Sequence, residues 1–199
     1  MAHTQTLPDH PKAPVQLADT SYRALANHET LSLSVLIPVY NERHVAHASI
    51  SRVLALEHPL IREMQVIVVD DCSTDGTSTI LERLAAQDDR ILLIRHEKNQ
   101  GKGAALRTAI AHAECDVSVC HDADLEYNPE DLPSLLVPFL EEGADAVFGS
   151  RYLSAPYRRA LMYFHTQMNR FITVLGNCLT DLDLTDLETC YKVVRTRLL

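Results

Sequence analysis

Met64 to Asp70 reads MQVIVVD, an almost unbroken apolar run closed by an acid. A strand with one face in water alternates apolar and polar residues. A run that is apolar throughout belongs to a strand covered on both faces, as in parallel sheets flanked by helices. The surrounding residues keep the matching rhythm. Leu33 to Val39 is a β-rich apolar run stopped by Asn41, and His44 to Leu56 has helical spacing through Val45, Ala48, Val53 and Leu56. Ser73-Thr74-Asp75-Gly76-Thr77 reads as a turn and cap, by Ser73 or Asp75, for a helix carrying Ile80, Leu81 and Leu84. Ile91 to Ile94 is a third strand, Lys102 to Ala113 an alanine-rich helix, and Val117 to Cys120 a fourth strand. Pro129-Glu130-Asp131 opens another helix, since proline suits a first turn and acids suit the positive end of the dipole. Ala146 to Gly149 is a fifth strand. Beyond Arg151 a helical stretch runs from Arg158 to about Leu179, and Tyr191 to Val194 reads as a last short strand. This alternation predicts βαβ units, hence an α/β fold with a mostly parallel central sheet flanked by helices.

Residues 1–30 carry Pro8, Pro11 and Pro14 without sustained periodicity and are expected to form a poorly ordered N-terminal arm. Residues 31–199 then make one domain, and its stop at Leu199, just after a strand, suggests a truncated or minimal form. The formal net charge of −9 argues against a protein that grips nucleic acid. No apolar stretch approaches the ~20 residues needed to cross a bilayer, and the N-terminus lacks a signal-peptide core. The expectation is a cytoplasmic protein, at most peripheral to the cytoplasmic face of the membrane. The five cysteines are scattered, odd in number and without a CxxC pair. That pattern fits reduced thiols acting as small buried hydrophobes better than a disulfide framework or a zinc site.

Chemistry gathers where the strands stop. Asp122-Ala123-Asp124-Leu125-Glu126 follows the fourth strand directly. If it stays extended, its three acids point to one side, at a cost unless a cation sits among them. Hard cations such as Mg²⁺ or Mn²⁺ take oxygen ligands and typically use one or two carboxylates beside substrate phosphates. A solvated acidic turn is the plainer alternative. Pro38-Val39-Tyr40-Asn41-Glu42 ends the first strand, where an aromatic face, an amide and an acid can bracket a planar base, or Asn41 can simply cap a turn. Asp70 and Asp71 end the second strand and suit the N–H groups and hydroxyls of a nucleoside. Asn99-Gln100-Gly101-Lys102-Gly103 precedes the alanine-rich helix. It offers close backbone approach, a helix N-terminus and a cation, but it is neither a Walker A loop nor a dinucleotide fingerprint. Arg151, after Gly149-Ser150, can hold a phosphate with its forked donors or pair with a nearby acid. Asp186 and Glu188, ahead of the last strand, can orient an acceptor or cap a turn. None of the ten histidines forms a ligand pattern, with His121 beside Asp122 and His165 the only ones of interest.

Taken in this order, the segments PVYNE, DDCSTDGT, NQGKG, DADLE, GSR and TDLETCYK resemble the family 2 glycosyltransferases of GT-A fold. The branch they are most similar to is that of the dolichyl- or polyprenyl-phosphate sugar transferases, such as dolichol-phosphate mannosyltransferase. The resemblance implies a Rossmann-like sandwich and inverting transfer from a UDP- or GDP-sugar to an acceptor. That acceptor would be a polyprenyl or dolichyl phosphate, in cell-envelope glycan biosynthesis. It implies a nucleotide-sugar pocket lined by Pro38, Tyr40, Glu42, Asp70, Asp71, Gln100, Lys102, Asp122 and Ala123. Asp122, Asp124 and Glu126 would hold Mg²⁺ or Mn²⁺ against the donor diphosphate, and Arg151 would face the acceptor phosphate. A hydroxyl acceptor on a glycan would instead need a base, for which Asp186 or Glu188 would serve. The acceptor side would be formed at the membrane by the helices after Arg151 or by a membrane partner. Other readings weighed are a donor-binding module without turnover, a nucleotidyltransferase and a haloacid-type phosphohydrolase. The last two fit less well, because the first loop is not rich in Gly and Arg and the DxD pair comes late in the chain.

Overall fold

The computed structural model describes residues 30–152 and 163–199. Six strands form one sheet: β1 Leu31–Val39, β2 Ile61–Asp70, β3 Ile91–Arg95, β4 Val117–Cys120, β5 Ala146–Phe148 and β6 Lys192–Arg195. Their order across the sheet is β3-β2-β1-β4-β6-β5. β1 pairs parallel with both β2 and β4, and β2 pairs parallel with β3. The helices are α1 Ala46–Leu54, α2 Thr77–Ala85, α3 Lys102–Ile110, α4 Leu132–Glu141 and α5 Tyr163–Thr180. A 3-10 turn at Pro129–Asp131 leads into α4. The expected α/β sandwich with a mostly parallel sheet is therefore the fold.

The unbroken apolar runs have a direct structural cause. Alternate residues of β1 and β2 point to opposite faces, and both faces are covered. Leu33, Val35, Ile37, Val66 and Val68 join Ile50 and Val53 of α1, Leu81 of α2 and Leu136 of α4 in one buried cluster. Leu36, Ile67 and Val69 meet Ala105 and Ala109 of α3 on the other side. The small alanines let that helix lie close to the strands.

The starts of two strands and the burial of the cysteines differ from expectation. β2 begins at Ile61, because Leu31 pairs with Ile61, and the exposed Arg62 and Glu63 hide its first turn of pleat from a hydrophobicity pattern. The last strand starts one residue later than expected and runs antiparallel between β4 and β5. Its direction depends on where the preceding chain re-enters the sheet, which Lys192–Arg195 does not encode. None of the cysteines is fully buried, and Cys178 is exposed, so the reading of all five as small buried hydrophobes does not hold. Residues 1–29 of the arm expected over 1–30, and the start of the long helix, 158–162, lie outside the described residues.

Candidate active site

β1 has β2 and then β3 on one side and β4 on the other, so the chain reverses its direction of travel across the sheet between β1 and β4. In open α/β sheets, ligands bind in the crevice beyond the strand C-termini at such a switch point. The segments after β1, β2, β3 and β4 all leave the sheet at this edge, and side chains tie them together.

Asn41 and Cys72 sit at positive φ, 56° and 64°. The Asn41 side-chain oxygen accepts from the Thr74 N–H at 2.8 Å, while the Asn41 N–H donates to Ser73 Oγ at 3.0 Å. Asp75, one residue before the Gly76 N-cap of α2, accepts from the Thr77 N–H at 3.0 Å and its hydroxyl at 2.6 Å, and it also takes the Arg43 N–H. Ser73 thus latches the β1 loop, and Asp75 ties that loop to the start of α2. Tyr40, 47% exposed, projects from this latch, with Pro38 half-buried behind it.

Asp70 and Asp71, expected to line the nucleotide pocket, are both buried and engaged by the loops around them. Asp70 is fully buried, accepting from the Ser73 N–H at 2.9 Å and the Ser78 hydroxyl at 2.5 Å. Asp71, 2% exposed, accepts from His96 Nδ1 at 2.7 Å, from the Gln100 N–H at 2.9 Å and from the Gly101 N–H at 2.7 Å. Burial alone works to raise the Asp71 pKa, but these bonds outweigh it and hold the carboxyl below its usual range. His96 Nε2 continues the chain to Thr108 of α3 at 2.9 Å. Asp71 therefore sets the loop from which Gln100 and Lys102 emerge. Gly101 takes φ 85°, a conformation few other residues tolerate, and an added Cβ there would meet nothing within 4 Å. Among the described residues, the space beside Gly101 at the N-terminus of α3 is open. Lys102 reaches across the crevice from that helix end, its Nζ 2.6 Å from Asp122 Oδ1. Burial works against the Lys102 charge, yet the bond to Asp122 prevails and its pKa is raised.

The DADLE segment is bent, not extended, which corrects the picture of three acids aimed at one side. The Glu126 N–H folds back onto Asp124 Oδ1 at 3.0 Å, and Glu126 is exposed on the turn. The three carboxylates do not gather into one cluster of ligand atoms. Ala123 is buried, 3% exposed, so its contribution to the crevice is backbone shape. Ser49 of α1 fixes the turn from below, its hydroxyl donating to the Asp124 C=O at 3.1 Å and lying 3.1 Å from His121 Nε2. His121 Nδ1 is 3.1 Å from the Tyr191 hydroxyl. Burial pushes the His121 pKa down to about 4, so a neutral imidazole props up the acidic turn.

Asp122 and Asp124 still offer oxygen donors at the crevice, and a third acid registers them. Glu42 is pushed above the usual carboxylate range by burial first, then by Asp124, Asp75 and Asp122. Crowded like charges of this kind would suit a hard divalent cation, for which Asp122 and Asp124 offer oxygen donors. Among the described residues, the one group of three close ligand atoms is Cys120, Asp122 and Cys190. Its sulfurs are soft ligands, suited to thiophilic metals and not to Mg²⁺ or Mn²⁺.

Arg151 and Asp186 are paired with each other. Arg151 Nε and Nη2 donate to the two Asp186 oxygens at 2.8 Å each, and its backbone N–H adds a third bond at 3.1 Å. Asp186 is 1% exposed, and although burial favours its neutral form, Arg151 holds it below the usual range. Glu188 is exposed nearby. The sequence offered Arg151 a phosphate or an acid as partner without naming Asp186, and it gave no sign of the Cys120–Cys190 contact, for which no local pattern exists. His96 was also missed, and only its spacing after the third strand distinguishes it.

Residues 34–199 match the family model described as Glycosyl transferase family 2. The undecaprenyl-phosphate 4-deoxy-4-formamido-L-arabinose transferase of Shewanella sediminis (strain HAW-EB3) is 34% identical over 116 residues, 58% of this chain and 35% of that protein. The chain thus spans about a third of the length of the curated relatives it matches. A mannosyltransferase of Pyrobaculum calidifontis, solved with GDP-Man and Mn²⁺, superposes with a TM-score of 0.53 at 27% identity, covering 61% of this chain and 35% of that one. Glucosyl-3-phosphoglycerate synthase of Mycobacterium tuberculosis, solved with Mn²⁺, UDP and phosphoglyceric acid, shares the fold. Its TM-score is 0.64 at 22% identity, over 90% of this chain and 60% of that one.

Proposed function

The chain belongs to glycosyl transferase family 2, and from that premise we propose that it transfers a sugar, with inversion, from a UDP- or GDP-sugar to a polyprenyl-phosphate acceptor. The observation that carries this reading is the meeting of Lys102 with Asp122, 2.6 Å apart, at the switch-point crevice. The nucleoside of the donor would lie toward Tyr40 and the latch between the β1 and β2 loops. Its diphosphate would lie between the open N-terminus of α3 and the Asp122–Asp124 turn. Lys102, freed from Asp122 by the incoming phosphates, would neutralise the charge that develops as the nucleoside diphosphate departs. A bound Mg²⁺ or Mn²⁺, on Asp122 and Asp124, would supply further positive charge to the same leaving group.

The state of Asp186 favours a phosphate acceptor over a glycan hydroxyl. A hydroxyl needs a base, and a buried carboxylate engaged by Arg151 through three hydrogen bonds is a poor one. A lipid phosphate is already anionic and needs only positioning. The relatives named as undecaprenyl-phosphate transferases point the same way, and the GDP-Man-bound structure keeps the mannosyl branch in view. No described helix is long and apolar enough to cross a membrane. Phe164, Met168, Phe171, Leu175 and Leu179 nevertheless line an exposed face of α5, with Phe164 at 83% and Leu179 at 79% exposure. That face supports peripheral contact with the bilayer that holds such an acceptor.

The test is a transfer assay with a panel of UDP- and GDP-sugars and short polyprenyl phosphates, with and without Mn²⁺. Asp124→Ala is expected to abolish Mn²⁺-dependent donor binding. Normal turnover by that variant would remove the metal assignment. Donor binding without transfer to any acceptor would favour the non-catalytic module.

A further inference from the structure

Cys120 closes β4, and Cys190 lies just ahead of β6, the antiparallel neighbour of β4. The Lys192 N–H bonds back to the Cys190 C=O at 2.8 Å, a tight turn at the entry to β6. The two Sγ atoms stand 3.8 Å apart, and Cys190 Sγ also lies 3.4 Å from the Cys120 C=O. Both residues are half-buried and carry free thiols. Each sulfur lies within 4.8 Å of a carboxylate oxygen of Asp122. Two thiols in contact, on chain segments 70 residues apart, are not required by the sugar-transfer chemistry.

We propose that Cys120 and Cys190 form a dithiol–disulfide pair that hydroperoxides close and small thiols reopen. In the closing step one sulfur attacks a peroxide oxygen, the O–O bond breaks, and a sulfenic acid and water result. The second thiol attacks the sulfenic sulfur, expels a further water and forms the S–S bond. The two thiols lose two hydrogens and two electrons, and one hydrogen peroxide becomes two waters. Two thiol–disulfide exchanges with a small thiol reverse the change and leave that thiol as its own disulfide. The geometry is close to product: closing 3.8 Å to a bond of about 2.05 Å moves each sulfur by about 0.9 Å. The bond would tie the strand end that launches the Asp122 turn to the segment that carries Asp186. Oxidation would thereby fasten the donor and acceptor sides of the crevice to each other.

The experiment treats the full chain with a small excess of hydrogen peroxide, alkylates the remaining thiols and digests without reductant for mass spectrometry. The expected result is one linked peptide pair containing Cys120 and Cys190, two hydrogens lighter than its parts. It is expected to be lost on dithiothreitol treatment, with Cys72, Cys115 and Cys178 still alkylated. Cys190→Ser should remove the link and leave Cys120 alkylatable after dithiothreitol. The wild-type digest decides the matter if that variant fails to fold. Cys120 and Cys190 recovered as unlinked sulfinic acids, or linked to other cysteines, would overturn the proposal. So would a pair that resists peroxide and instead binds one Zn²⁺ per chain, which would make it a thiophilic-metal site. The readout does not involve sugar transfer, so its failure is distinguishable from a failure of the glycosyltransferase reading.

Discussion

Removing the Arg151 side chain tests whether that residue holds the segment after β5 to the one ahead of β6. The Asp186 carboxylate is 0% exposed and receives both forked donors of Arg151, which is itself 33% exposed. Deleting one partner of a buried pair costs about 3–5 kcal/mol, because the survivor keeps its charge without compensation. Arg151 stands partly in solvent, so water can enter where its side chain was, and the backbone N–H of residue 151 still donates to Asp186. Discounting for both, Arg151→Ala should cost about 2–3 kcal/mol. With a urea slope of about 1–3 kcal/mol per molar, the unfolding midpoint should fall by about 0.7–3 M. The double replacement Arg151→Met with Asp186→Leu should recover much of the loss, since it buries no charge. Arg151→Lys should recover only part, because an ammonium cannot reproduce the two-pronged contact. The pair also carries an acid dependence. The Asp186 pKa is depressed on folding, so its contribution is complete above the unfolded value of about 3.9 and is lost as pH falls through the lower folded value. An Arg151→Ala midpoint equal to wild type, or a double variant less stable than the single one, would refute the reasoning.

Asp71→Ala should destabilise by about 2–3 kcal/mol by orphaning the donors of His96, Gln100 and Gly101. It should also speed amide exchange at Gln100 and Gly101 at least tenfold, and unchanged exchange there would rule Asp71 out as the anchor of the loop. His121 titrates near 4 in the folded, metal-free protein, against an unfolded value of about 6.5. The unfolded state therefore binds more protons between those values, and stability should rise by up to about 3 kcal/mol as pH climbs from 4 to 6.5. His121→Gln should flatten that slope in urea titrations, with NMR of the ring checking the pKa directly. Phe164→Glu combined with Phe171→Glu should reduce co-sedimentation with phospholipid vesicles while leaving the urea midpoint near wild type, since both side chains are more than 60% exposed.

What could be read in the chain was whatever is encoded locally. Strands covered on both faces show as apolar runs, and the stops at Asp70 and Cys120 mark the edge where chemistry collects. What could not be read was the choice of distant partners. The antiparallel entry of β6 sets both the Arg151–Asp186 pair, 35 residues apart, and the cysteine contact. No window of sequence shorter than the sheet contains that information. The acids present the sharpest case, because all of them end strands and look alike in sequence. Asp70 and Asp71 face loops rich in unpaired N–H groups, those of Ser73, Gln100 and Gly101, and those groups draw both carboxylates inward. Asp122 meets Lys102 and the Cys190 thiol, and Asp124 takes the Glu126 N–H, at the crevice. Their charge is left undercompensated, and Glu42 feels it. Which of these acids keeps its charge compensated within the chain thus depends on the donors of the loop opposite and not on the acid's own motif.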